Sequence, residues 1–170
     1  MPPIALTNPQ RLRALMETAL LDSPAEAAFD RLTRLATLAL DVPTAVVSLV
    51  TSDRQFFKSC VGVGEPWGTD RGTPLKYSFC QYVVAESRPL IIEDARALPQ
   101  WKDHPAIKHM NVVAYAGFPL LVDGFPLGSF CAMDYKPRKW TRRDITILED
   151  LAAATMTEIE LRAARRMAHP

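Results

Sequence analysis

Three thiols, two neighbouring histidines and a set of aromatic and hydroxyl side chains hold most of the reactive chemistry in this sequence. Cys60, Cys80 and Cys131 are odd in number and far apart, which argues against a disulfide framework. None belongs to a Cys-x-x-Cys pair, and none has a histidine at metal-ligand spacing. The expectation is free thiols acting as small apolar groups in a reducing cytosol. His104 and His109 lie five residues apart, off the four-residue helical spacing of a zinc site and without an acidic third ligand. Asp94 and Asp134 end short apolar runs and read as turn or capping groups. No Ser/His/Asp or paired-carboxylate arrangement is visible, so neither catalytic residues nor a metal are expected, and the sequence names no cofactor.

Small-molecule sites combine apolar bodies with a few hydrogen-bonding tips. Phe57, Phe79, Cys80, Trp101, Tyr115, Ser129 and Cys131 are the candidates for such a lining, with ordinary core filling as the alternative. Arg96 and Lys108 are weak candidates for an anion. The run Lys136-Pro137-Arg138-Lys139-Trp140-Thr141-Arg142-Arg143 is basic beside an aromatic residue, but a helix starts inside it, so a solvated loop is expected. A net charge of +1 exerts no bulk pull on nucleic acid or membranes. No stretch approaches the ~20 apolar residues of a membrane span, and the N-terminus has no secretory pattern. A cytoplasmic location is expected.

The elements that must position these residues follow from local signals. Asn8-Pro9 supplies an N-cap and a first-turn proline ahead of Leu12, Leu15, Met16 and Leu20. Ser23-Pro24-Ala25-Glu26 reads as a capping box for a second helix with Phe29, Leu32, Leu35, Ala36 and Ala39 on its apolar face. Asp41-Val42-Pro43 stops it. Thr44 to Val50 is β-branched and apolar, a central strand, and Gln55 to Val63 is its hairpin partner. The Gly/Pro-rich stretch from Gly64 to Pro74 is expected to be an irregular loop. A short helix over Tyr77 to Glu86, a short strand over Pro89 to Glu93 and an irregular or helical excursion from Asp94 to Met110 follow. Val112 to Val122 and Phe125 to Tyr135 form the clearest hairpin, joined by the tight-turn pair Asp123-Gly124. Thr141 caps a last helix over about 141–166.

This order predicts an α+β domain: a central antiparallel sheet with the terminal helices on one face and the crossover, Gly64 to Met110, forming a pocket on the other. A chain of 170 residues fits one domain, with a core over about 8–162.

Several segments resemble bacterial GAF domains. They are Leu20-Leu21-Asp22-Ser23-Pro24, Phe29-Asp30-Arg31-Leu32, and Val47-Ser48-Leu49-Val50 followed by Asp53-Arg54-Gln55-Phe56-Phe57-Lys58-Ser59. Ser78-Phe79-Cys80, Ile92-Glu93-Asp94-Ala95-Arg96, Tyr115-Ala116-Gly117-Phe118-Pro119-Leu120 and Gly128-Ser129-Phe130-Cys131-Ala132-Met133-Asp134 continue the likeness in order. It runs from about Asn8 to Arg162. The resemblance implies a GAF/PAS-like sheet of five or six antiparallel strands, with a pocket that in the family holds cyclic nucleotides, bilins, haem, amino acids or other small molecules. It also implies signal relay through terminal helices, usually toward a phosphatase, kinase or cyclase output domain, whose motifs are not present in these residues.

Members that attach a bilin through a cysteine at the position of Cys80 follow it with His, where this chain has Gln81. The Asn-Lys-x-x-Phe-x-x-x-Asp-Glu pattern of cyclic-nucleotide-binding members is missing. The methionine sulfoxide reductase branch needs a nucleophilic and a resolving thiol, and carries its cysteines in a closer cluster. Cys131 alternates with Phe130 and Ala132, so Cys80 can approach it across one sheet face. The resulting expectation is a non-catalytic sensor that binds an unidentified small molecule, or relays signal as a homodimer, to a separate output protein. One alternative is a thiol-based enzyme or redox sensor using Cys80 and Cys131. The other is a structural dimerisation domain whose pocket is filled by its own side chains. The last helix has an apolar stripe, Ile145, Leu148, Leu151, Ala152, Thr155, Met156 and Ile159, which would pair with a second subunit wherever it outlasts the sheet.

Overall fold

The computed structural model describes residues 4–169. A 3-10 turn, Ile4–Thr7, leads into α1 (Pro9–Glu17) and α2 (Ala27–Leu40). The hairpin β1 (Thr44–Val50) and β2 (Arg54–Val61) follows, then α3 (Trp67–Asp70), β3 (Gly72–Pro74), α4 (Cys80–Glu86) and β4 (Leu90–Ile92). A 3-10 turn at Ala95–Ala97 and α5 (Pro105–Met110) precede the second hairpin, β5 (Ala114–Val122) and β6 (Phe125–Asp134), and α6 (Arg142–Ala168). The strands form one sheet in the order β3-β2-β1-β6-β5-β4, every neighbouring pair antiparallel. The expected α+β architecture is what forms, with six strands.

Local chemistry accounts for most boundaries. Asn8 accepts from the backbone N–H groups of Gln10 and Arg11, capping α1. Thr141 and Asp144 make a reciprocal capping box at the start of α6. Asp123 and Gly124 both take positive φ (52° and 80°), as the tight turn requires. Strand β1 is buried along its whole length and paired on both edges, which is why its seven residues carry no charge.

Four expectations are corrected. Ser23 and Glu26 do not cap α2, whose N-cap residue is Glu26 without a side-chain cap bond. Instead Ser23 Oγ donates to the Leu20 carbonyl and accepts from Lys58, and Glu26 is held by Lys58 and Arg162. The buried face of α2 is Phe29, Thr33, Ala36 and Leu40, leaving Leu35 46% exposed and Ala39 exposed. The stretch 64–74 is not an irregular loop, since it contains α3 and β3, and β3 adds an edge strand to β2. The basic run 136–143 is partly built in: Trp140 is buried with its indole N–H on the Ile92 carbonyl, and Arg138 binds the Leu40 carbonyl and Asp144.

Helices α2 and α6 cover one sheet face, packing on Ala45, Val47, Ala114, Ala116, Phe118, Phe130 and Ala132. The opposite face is covered by α4, α5 and the 3-10 turns, through Phe79, Val83, Val84, Ala95 and Ala106. The N-terminal segment joins the two layers. Leu6 packs on the α4 side, while Leu15 joins Phe29, Leu49, Leu127 and Ile159 on the other. Between them Arg11, only 2% exposed, closes the end of the sheet. Its guanidinium donates to the carbonyls of Val50 (2.8 Å), Pro126 (3.2 Å), Leu6 (3.0 Å) and Ala5 (3.3 Å). Burial lowers its pKa to about 10, so the group stays charged at neutral pH. Replacing it with alanine strands those carbonyls away from water. Arg11→Ala is expected to cost about 2–4 kcal/mol, read as a lowered urea midpoint.

Candidate functional site

Side-chain alternation places a polar floor on the face that α4 and α5 cover. Val46, Tyr115, Cys131 and Met133 point to this side, with the wholly buried Ser48 and Ser129 directly opposite one another in the β1–β6 register. Gln55 of β2 ties the floor together. Its Oε1 accepts from Ser48 Oγ (3.0 Å) and Ser78 Oγ (2.8 Å), and its Nε2 donates to Thr73 Oγ1 at 2.8 Å. Each of these buried groups has a partner, as burial demands.

The Tyr115 hydroxyl reaches along the sheet because Gly117, two residues on and on the same face, has no side chain. A Cβ there would collide with that hydroxyl and lie 2.7 Å from Ser129 Oγ. The hydroxyl donates to Cys80 Sγ at 3.1 Å and sits 3.2 Å from Ser129 Oγ. Cys80 Sγ in turn lies 3.7 Å from Cys131 Sγ. Burial opposes the Cys80 thiolate, but donors from Cys131, Tyr115, Ser48 and Ser129 outweigh it and lower the Cys80 pKa. Donation to Cys80, then burial, pushes the Cys131 thiol well up, and burial does the same to Tyr115. Cys60 is half-buried, and burial raises its thiol despite nearby Arg71.

The roof is aromatic. Phe79 stacks on His104 with ring centroids 4.1 Å apart and meets Trp101 edge-on at 5.6 Å, while Tyr82 meets Trp101 at 4.7 Å. His104 also caps α5, its Nδ1 accepting from the Ala106 N–H at 3.2 Å. That bond leaves the neutral ring's proton on Nε2, which is buried without a partner of hydrogen-bond geometry. Burial lowers the His104 pKa to about 4, outweighing the Ser78 backbone, which raises it.

Between floor and roof remains a cavity of about 10 Å³, space for about one water molecule. Of the expected lining, Phe57, Phe79, Cys80, Tyr115 and Cys131 border it. Trp101 lies one layer out, behind Phe79, and Ser129 lies beneath the Tyr115 hydroxyl. Sequence reasoning missed Gln55, Tyr77 and Met110 in the lining, and Ser48 and Ser78 in the floor. Gln55 had a signal, since it precedes Phe57 by two and therefore shares its face. Arg96 is engaged with Asp94, and Lys108 is exposed. No cluster of three or more His, Cys, Asp or Glu among the described residues could hold a metal. No helix among them is long and apolar enough to cross a membrane.

A second buried polar cluster lies across the sheet. β2 bulges where β1 passes from Val47 to Ser48, and the extra residue, Lys58, is wholly buried toward α2. Its ammonium donates to Ser23 Oγ (2.7 Å), the Pro24 carbonyl (2.6 Å) and Glu26. Burial lowers the Lys58 pKa against the pull of Glu26. Glu26 also accepts from Arg162 of α6 at 2.9 Å, and Arg162 donates to the Thr18 carbonyl at 2.7 Å.

A six-stranded antiparallel sheet covered on one face by α2 and α6, with a roofed polar pocket on the other, defines the α+β class of domain to which this chain belongs. The GAF domain family model matches residues 24–159, and the chain belongs to that family. A cyclic di-GMP phosphodiesterase of Pseudomonas aeruginosa is 30% identical over 161 residues. The match takes in 93% of this chain but 27% of that protein, so the chain spans about a quarter of its relative's length. Among solved structures, the GAF domain of a Coxiella burnetii phosphoenolpyruvate-protein phosphotransferase superposes with a TM-score of 0.68 at 15% identity, covering 92% of this chain and 96% of that one. The free methionine-R-sulfoxide reductase of Neisseria meningitidis, in complex with its substrate, superposes with a TM-score of 0.64 at 19% identity, covering 92% and 91%. At these identities the two structures share the fold.

Two outcomes follow from the site. Gly117→Ala forces the Tyr115 hydroxyl away from Ser129 and Cys80 and is expected to destabilise the fold by about 1–3 kcal/mol in urea titration. Between its ordinary value of 6.5 and its folded value of about 4, His104 is protonated in the unfolded chain and neutral in the folded one. Stability therefore falls as pH drops through that window and this contribution levels off below it. His104→Asn keeps a capping acceptor but does not titrate, so its stability relative to wild type is expected to improve by ~1–2 kcal/mol, discounted for solvent screening, between pH 6.5 and 4.

Proposed function

We propose that this chain is the non-catalytic sensing part of a signalling protein, binding a small polar molecule on the α4–α5 face and passing its state on through α6 in a homodimer. The observation that carries the reading is the buried polar floor of Ser48, Gln55, Ser78, Tyr115 and Ser129 beneath an aromatic roof. On the opposite face the centre of the sheet is met by apolar side chains, and the buried polar groups beside it are locked to one another around Lys58. Donors and acceptors that can rearrange around a ligand are what a recognition site adds. The cavity is nearly closed, so a ligand enters by displacing part of the roof. That roof is built of separable short pieces: six-residue α5, the turn at Ala95–Ala97 and the side chains of Phe79, Trp101 and Met110.

The output side is α6. Its 27 residues outlast the sheet, and beyond Ile159 they leave Leu161 40% and Met167 83% exposed. Leu35 and Leu38 of the neighbouring α2 are exposed as well. Exposed apolar side chains on both helices of this face are what an isologous contact would use. The P. aeruginosa relative is named for a phosphodiesterase activity, and nearly three quarters of its length lies outside the match. This favours a regulatory role for the matched part, with an output activity elsewhere in that protein.

Native mass spectrometry of the purified chain, with sedimentation at high concentration, tests the reading. A dimer releasing a small molecule on denaturation is expected. A monomer with an empty pocket overturns it, and a dimer that is always empty replaces it with a structural dimerisation domain filled by its own side chains.

A further inference from the structure

The two thiols that the fold brings together lie against the same small cavity, and this carries an inference independent of any ligand. Cys80 is the first residue of α4 and Cys131 is in the middle of β6, fifty-one positions later, yet their sulfurs are 3.7 Å apart and both residues are buried. A disulfide needs about 2.05 Å, so the sulfurs must close by about 1.7 Å. Cys80 is the more mobile partner, being at the end of a seven-residue helix rather than inside a paired strand.

We propose that Cys80 and Cys131 are a peroxide-oxidisable dithiol, with Cys80 the attacking sulfur and Cys131 the resolving one. Both border the cavity of about 10 Å³, space for about one water molecule, so a peroxide, as one of the smallest oxidants, reaches them with less displacement of the roof than a larger one. The roles follow from the hydrogen bonds. Tyr115 donates its hydroxyl proton toward Cys80 Sγ at 3.1 Å and so favours a thiolate there, whereas Cys131, 3.7 Å from Cys80, is held in the paired strand β6 as the second sulfur.

In the first step the Cys80 thiolate attacks one peroxide oxygen. The S–O bond forms as the O–O bond breaks, and the departing hydroxide takes the proton that Cys80 released, leaving as water. In the second step Cys131 sulfur attacks the Cys80 sulfenic acid. The S–S bond forms as the S–O bond breaks, and the Cys131 proton leaves with the hydroxyl as a second water. Two electrons pass from the two thiols to one peroxide, and a dithiol reductant reverses the change. Closing the bond draws the start of α4 toward β6 and takes from Tyr115 the sulfur that accepts its proton. The pocket therefore has two covalent states with different floors.

The test uses the full chain treated with graded hydrogen peroxide, blocked with N-ethylmaleimide under denaturing conditions and mapped without reduction. The exposed methionines Met16 and Met167, 68% and 83% accessible, report the oxidant dose within the same molecule. The expected result is a linked Cys80–Cys131 peptide pair lacking two hydrogens, with Cys60 carrying maleimide and dithiothreitol restoring all three thiols. The urea midpoint of the oxidised protein is expected to rise. In Cys131→Ser, Cys80 is expected to stop at the sulfenic acid, detected with dimedone. The proposal is overturned if Cys80 and Cys131 both carry maleimide at a dose that oxidises Met16 and Met167, or if Cys80 links to Cys60. The wild-type map decides the matter even if the variant fails to fold. Because it reads thiols alone, failure here leaves the sensor reading standing, and an empty pocket leaves this one standing.

Discussion

Strand β1 is hydrogen-bonded on both edges and buried on both faces, and the rest of the molecule is arranged around that confinement. Its alternate side chains have no route to water, so each must be met by a layer of matching polarity. Ala45 and Val47 are met by the apolar helix pair, which asks only for area. Ser48 on the other face asks for a hydrogen bond, and Gln55 supplies it while serving Ser78 and Thr73 as well. One amide thus couples β1, β2, β3 and the approach to α4. An unpaired hydroxyl in this interior costs about 1–3 kcal/mol, so the floor holds as a set or rearranges as a set.

Elements whose signals are local were legible from sequence. Thr44–Val50 declared itself by β-branched apolar content, the Asp123-Gly124 turn by its need for positive φ, and α6 by Thr141 and Asp144 three residues on. The Ser23–Glu26 box failed for a non-local reason. Lys58, thirty-five positions from Ser23, must bury its ammonium and draws on both would-be capping groups to do so. Strand β3 was hidden because three residues carry no periodicity, and their pairing with β2 is the only thing that makes them a strand. Within the site, Phe57, Tyr115 and Cys131 could be placed because strand alternation fixes which way they face. The polar floor and the role of His104 could not, because both are defined by partners brought in from distant segments.

The two faces also differ in how charge is handled. On the pocket side the His104 imidazole is neutral at physiological pH, held well below its ordinary range by burial. On the helix side and at the sheet end, full charges are buried. Arg11 is surrounded by carbonyl dipoles, and Lys58 is paired with a carboxylate that also faces Arg162. Removing Glu26 would leave the wholly buried Lys58 ammonium with only the Ser23 hydroxyl and the Pro24 carbonyl as partners. These charges therefore act as fixed points, while the pocket face is held by hydrogen bonds between hydroxyl, amide and thiol groups.

The bulge at Lys58 has a mechanical meaning. Phe57, the residue before it, borders the cavity, while Lys58 itself grips Glu26, and Glu26 grips Arg162 near the far end of α6. Arg162 and Arg166 both hold the Thr18 carbonyl, so the turn between α1 and α2 is clamped in the same linkage. Arg162 and Arg166 thus tie α6 to residues 18–26, and Glu26 ties both to the bulge of β2. The last helix and the pocket wall therefore meet at a single lysine that no solvent reaches.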